Sequence, residues 1–154
     1  MYNILNYLEE QGNIPFSHSG FNEVDNLILS QIAYIDFDGI VPGIGTNEFI
    51  TVKNASESFF ATHSEDEMLL SKSLIKLSPF VLKEMAKGAR FQNARLLNYV
   101  SQLDETVQKQ LAALHIELSD GTVYVAFRGT DDNLVSWQED FNMSYKTVPA
   151  QIEA

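Results

Sequence analysis

The feature that most constrains this chain is a strand pattern with its turn already written into it. From Ala113, Leu114, Ile116 and Leu118 alternate with His115 and Glu117, which is the period of a strand with one wet face. Ser119-Asp120-Gly121 follows, and Asp-Gly between two strand patterns is a strong hairpin signal. The second arm, Thr122 to Arg128, is apolar on both faces and reads as an interior strand. It breaks at Arg128-Gly129-Thr130, passes through a polar loop, and reaches a helical turn or two carrying Trp137 and Asp140. A turn at the carboxyl end of a strand is where ligand chemistry gathers in α/β enzymes, because backbone N–H groups and loop side chains share one crevice there.

The residues upstream read as mainly helical. Ile4, Leu5 and Leu8 share a helical face that stops at Gly12. Asn22 caps a second helix, in which Glu23 and Asp25 complement the dipole and Val24, Leu27, Ile28 and Ile32 keep helical spacing. It is expected to end near Tyr34 to Asp36. The glycine-rich stretch from Asp36 to Glu48 is loop, and a third helix runs from Thr51 to about His63. Ser64 and Glu67 form a capping box, and Ser78-Pro79 reads as an N-cap followed by the first helical residue, with a stop near Lys87-Gly88. Residues 90–110 are read as mostly helical. At the other end, Thr147-Val148-Pro149 opens a helix that five residues cannot complete, so the chain is expected to be part of a longer protein.

Composition narrows the function classes. A length of 154 residues, with 45% hydrophobic and 20% charged, suits one globular domain able to bury a core. The net charge of -11 argues against sequence-independent nucleic-acid binding, which needs clustered Lys and Arg. There is no cysteine, so disulfides, thiolate nucleophiles and thiolate metal sites are excluded, in keeping with a cytoplasmic setting. No apolar run approaches membrane-spanning length.

Phe127-Arg128-Gly129-Thr130, a few polar residues, then Trp137-x-x-Asp140 resembles the oxyanion-strand segment of class 3 (fungal triglyceride lipase-like) α/β-hydrolases. With the blocks FNEVDNLILSQIAYIDFDGIVP and YVAFRGTDDNLVSWQEDFNMSY, nearly the whole chain resembles a bacterial lipase-like family of uncharacterised α/β-hydrolases. The resemblance implies that Thr130 supplies a backbone N–H and its hydroxyl to an oxyanion hole, and that Gly129 permits the sharp turn. It implies that Arg128, Trp137 and Asp140 hold the loop and the helix after it. Asp131, beside Asp132, caps that helix and locks the loop. Fixed donors of this kind are what a tetrahedral intermediate requires. The fold expected is α/β: the amino-terminal part of an α/β-hydrolase fold, with a helical first half (residues 1–110) and then a hairpin and an interior strand of a mixed sheet (residues 111–154), all in one incomplete domain.

The departure is large. No Gly-x-Ser-x-Gly elbow occurs, with its following acid and histidine, so the chain is expected to be the inactive amino-terminal portion of a serine esterase or lipase-like enzyme acting on a small acyl ester. The alternative is a non-catalytic binding module of the same fold. A homo-oligomer through an exposed sheet edge is a further expectation, and no cofactor or metal is expected. Each of these residues also has a plainer reading. Arg128 alone reads as an ordinary ion-pairing residue, and Trp137 and Phe141 read as packing residues. His18, His63 and His115 stand singly, and the adjacent Ser17 and His18 are not expected to form a working pair. Asp36-x-Asp38-Gly39 and Asp131-Asp132 lack the remaining ligands of a calcium loop and read as turn and cap residues.

Overall fold

A computed structural model describes residues 2–70, 77–104 and 109–128. It shows α/β content. The described residues form five helices and one four-stranded sheet: α1 (Ile4–Gln11), α2 (Glu23–Ile32), β1 (Ile50–Thr51), α3 (Val52–Thr62), α4 (Glu65–Leu70), α5 (Ser78–Met85), β2 (Arg95–Asp104), β3 (Lys109–Glu117) and β4 (Val123–Phe127). The sheet order is β1-β2-β3-β4 and every neighbouring pair is antiparallel, so among the described residues the sheet is antiparallel rather than mixed.

The helices begin where their caps say they should. Asn3 and Asn22 have extended backbones, and each accepts the N–H groups of the second and third helical residues. Asn6 and Asp25 return the bond to the cap's own N–H, closing two capping boxes. Thr51 caps α3 through its hydroxyl, which accepts from Asn54 N–H at 3.2 Å. Ser78 differs from expectation. It is the first helical residue, Leu77 occupies the cap position without a side-chain bond, and the Ser78 hydroxyl is buried without a partner.

Helix α5 is the hub of the helical layer, with α1, α2 and α3 all packed against it. Val81, Leu82 and Met85 from α5 meet Ile28, Leu29 and Ile32 from α2, all fully buried. This layer covers one face of the sheet, where Leu96 of β2 and Leu114 and Ile116 of β3 point inward. The alternation read from Leu114 to Leu118 is the one observed, with Leu114, Ile116 and Leu118 buried and His115 and Glu117 on the other face.

The clearest correction is to residues 95–104, which form β2 and not helix. Leu, Gln and Arg tolerate helix well, so local propensity favours helix weakly. Pairing along nearly the whole of β3 outweighs that preference, since strand formation depends on cross-strand partners that a local pattern does not show. The ladder is interrupted between Leu97 and Val100 by an irregularity at Asn98, whose φ is 52°. The hairpin turn is as expected. Gly121 takes φ 88°, and Leu118 N–H donates to Thr122 O. The arm read as an interior strand is β4, which among the described residues pairs with β3 alone, and Val123, Val125 and Phe127 stay half exposed.

Candidate functional site

The carboxyl end of β4 is where the sequence places its candidate chemistry. The ladder extends one residue past Phe127, because Arg128 N–H donates to Ala112 O at 2.9 Å. Tyr124 ties the other end of β4 to the helical layer, its hydroxyl bonding Asn26 Oδ1 at 2.6 Å. The hairpin is therefore held at both ends, and its last described residue is Arg128, partly buried. The Nε of Arg128 is buried and has no hydrogen-bond partner among the described residues. An orphaned guanidinium nitrogen is costly and calls for an acceptor. Gly129, Thr130, Asp131, Trp137 and Asp140 lie outside the described residues, so of the candidate site residues the structure positions Arg128 alone.

Beside that strand end, the face of the sheet turned away from the helices carries a groove of about 320 Å³. Val100, Leu111, Ala113, Val125 and Phe127 make it apolar, Ile44 stands at its side, and Asn98, Gln102 and His115 supply its polar atoms. Asn98 Nδ2 lies 3.1 Å from His115 Nδ1, a contact that the left-handed backbone at Asn98 makes available. Among the described residues His115 Nε2 has no hydrogen-bond partner, and Glu117 Oε1 lies 3.8 Å away. Glu117 is itself held by Arg95, 2.7 Å from it across the strand pair. The sequence offered no signal for the Asn98–His115 contact, because it depends on the irregularity in β2.

The remaining candidates have local roles. Ser17 Oγ and His18 Nδ1 are 3.1 Å apart, so the adjacent pair does touch, contrary to expectation. Both are exposed, and no carboxylate is bonded to His18, so the third member that orients a catalytic base is missing. His63 stacks on Phe59 with centroids 4.3 Å apart and bonds Thr62 and the Phe59 carbonyl. Asp36 Oδ1 accepts from Asp38 N–H at 3.0 Å and from the Tyr99 hydroxyl at 3.4 Å, which is turn chemistry. Among the described residues no group of three His, Asp or Glu side chains is placed to hold a metal ion. Nor is any described helix long and apolar enough to cross a membrane.

Compared with known proteins, residues 85–154 match the model of the Mbeg1-like family. That stretch runs from the last residue of α5 through β2, β3 and β4 to the end of the chain, somewhat less than half of its length. No curated protein and no solved structure matches the chain. The match corrects the resemblance drawn from Phe127-Arg128-Gly129-Thr130 and the two longer blocks: the family model found, over residues 85–154, which include the motif and the second block, is Mbeg1-like and not a lipase-like one.

Proposed function

We propose that this chain provides the oxyanion side of a serine ester hydrolase and is inactive by itself. The observation that supports it is the end of β4, where the ladder closes on Arg128 N–H and Gly129-Thr130 follow in sequence. Glycine suits a sharp turn, and a threonine N–H and hydroxyl next to it are the donors that a developing oxyanion needs. Thr130 is the stabilising residue in this reading, Arg128 and Gly129 shape the turn, and Asp131, Trp137 and Asp140 hold what comes after it. The nucleophile, acid and base come from outside these 154 residues, since no Gly-x-Ser-x-Gly occurs in them. The substrate is a small acyl ester, and the absence of cysteine fits a cytoplasmic setting.

The purified chain is expected to show no hydrolysis of a p-nitrophenyl ester above a Thr130→Ala control. The product of the full coding sequence is expected to be labelled by a fluorophosphonate, and Thr130→Ala in it should lower kcat by about 10²–10³-fold. Failure of the full product to label overturns the reading. One observation favours a non-catalytic binding module instead, namely the apolar groove beside β4. In that case the edge of β4 that is unpaired among the described residues is the one on which a second copy would add.

A further inference from the structure

The sequence contains two Asp-Gly pairs, Asp38-Gly39 and Asp120-Gly121, and no Asn-Gly. An aspartate before glycine is prone to isomerise, because with no side chain on the glycine its backbone nitrogen reaches the neighbouring carboxyl group easily. Both pairs lie in exposed turns. Both glycines hold a positive φ, 72° and 88°, and neither has an atom within 4 Å of where a Cβ would stand. Sequence and exposure do not distinguish the two pairs, but hydrogen bonding does.

At Asp120 both reacting groups are engaged. Gly121 is the fourth residue of its turn and donates its N–H to Leu118 O at 3.1 Å, while Asp120 Oδ1 accepts the N–H of Thr122 at 2.9 Å. At Asp38 neither group is engaged. Gly39 is the third residue of a turn closed by Ile40 N–H on Phe37 O at 2.9 Å, and a glycine of positive φ at that position is the signature of a type II turn. The closing bond leaves the Gly39 N–H unused. Asp38 donates its own N–H to Asp36 Oδ1, but among the described residues neither the Gly39 N–H nor the Asp38 carboxylate has a hydrogen-bond partner.

We infer that Asp38 is a site of spontaneous isoaspartate formation in the folded chain, and that Asp120 is protected. The Gly39 nitrogen attacks the side-chain carboxyl carbon of Asp38 and the new C–N bond closes a succinimide ring. One carboxyl oxygen leaves as water, taking the amide proton and a proton from solvent. Water then opens the ring: cleavage of the original peptide C–N bond leaves the chain running through the side-chain carbonyl with a free α-carboxylate, and cleavage of the new bond restores aspartate. Nothing is oxidised or reduced. Isoaspartate lengthens the main chain by one methylene inside the turn in which Phe37 O accepts from Ile40 and Val41, and both Phe37 and Val41 are buried in the core. This inference is independent of the proposed hydrolase role.

The test is to age the chain at neutral pH and physiological temperature, in buffer and in urea concentrated enough to unfold it, and to map its peptides. An isoaspartyl peptide keeps its mass, resists a protease specific for aspartate, and accepts a methyl group from a protein isoaspartyl methyltransferase. In buffer the Asp38 peptide should accumulate isoaspartate several-fold faster than the Asp120 peptide, and in urea the two rates should converge. Asp38→Glu, whose longer side chain closes the corresponding ring far more slowly, should remove the major product and leave the Asp120 peptide unchanged. Equal rates in buffer, a faster Asp120, or an Asp38 peptide that stays unmodified in buffer overturns the inference. So does a preference for Asp38 that persists in urea, because it then comes from neighbouring side chains and not from the turns.

Discussion

Arg90 and Asp25, far apart in sequence, form a buried ion pair in which the guanidinium uses every N–H it has. Nε donates to Asp25 Oδ1 at 2.8 Å and one terminal nitrogen donates to Oδ2 at 2.5 Å. The remaining hydrogens go to the carbonyl oxygens of Ile14, Ser19 and Gly20, and the Phe16 ring lies 4.1 Å below the cation. Asp25 also accepts from Asn22 N–H and the Tyr7 hydroxyl. One side chain thus fixes the loop between α1 and α2 to the segment entering β2, and the bond to Asp25 raises the Arg90 pKa above its ordinary value.

Removing one partner of such a pair costs more than removing both, because it strands a buried charge. Arg90→Met is expected to lower unfolding stability by about 3–5 kcal/mol, read from urea denaturation. The double variant Asp25→Leu with Arg90→Met should lose less than Arg90→Met alone. A double variant as unstable as the single one would show that the carbonyl contacts, and not the charge pair, carry the effect.

Gly88 is required by a close approach. A Cβ built there would lie 2.2 Å from the carbonyl oxygen of Gly12, which already accepts Arg90 N–H at 2.8 Å. Backbone on both sides leaves little room to yield, so Gly88→Ala should cost about 1–3 kcal/mol and lower the thermal midpoint. An unchanged midpoint would mean that the end of α1 can move away from the turn after α5.

Asn98 holds φ 52° and places its amide against His115. Glycine accepts that backbone freely and asparagine tolerates it, whereas a β-branched residue does not. Asn98→Gly should therefore stay close to the parent, the relief of strain offsetting the lost contact. Asn98→Val should be less stable than Asn98→Gly by about 1–2 kcal/mol, as measured by chemical denaturation.

Burial raises the pKa of Tyr99 and of Tyr124 above the ordinary tyrosine value of 10.0. A raised folded-state pKa means that the unfolded chain loses its proton first. Stability from these groups is complete below the unfolded value and falls as pH rises through the folded one. Alkaline titration followed by phenolate absorbance should show a late-ionising phase to which Tyr99 and Tyr124 contribute, coincident with the loss of near-UV circular dichroism. Tyr99→Phe should remove part of the late phase.

Much of the framework was legible locally. Asn22 announces its helix because a cap is a contact between a side chain and the next two or three N–H groups, and Asn3 and Thr51 prove to cap theirs in the same way. Asp120-Gly121 announces the hairpin because a left-handed residue is cheap only for glycine and a few others. The alternation of Leu114, Ile116 and Leu118 shows which face of β3 is buried.

Tertiary structure alone decided the rest. Residues 95–104 become β2 because β3 lies beside them, and the irregularity at Asn98 brings that residue to His115. Arg90 finds Asp25, and Gly88 meets Gly12, only once α1, α2 and α5 have packed together. The strand-end motif at Arg128 was visible in the sequence, but its neighbourhood was not: a half-buried cation, one nitrogen with no partner among the described residues and an apolar groove alongside are products of how the sheet is assembled. Local patterns report interactions within a few residues, whereas pairing register and close backbone approach are settled between segments far apart in the chain.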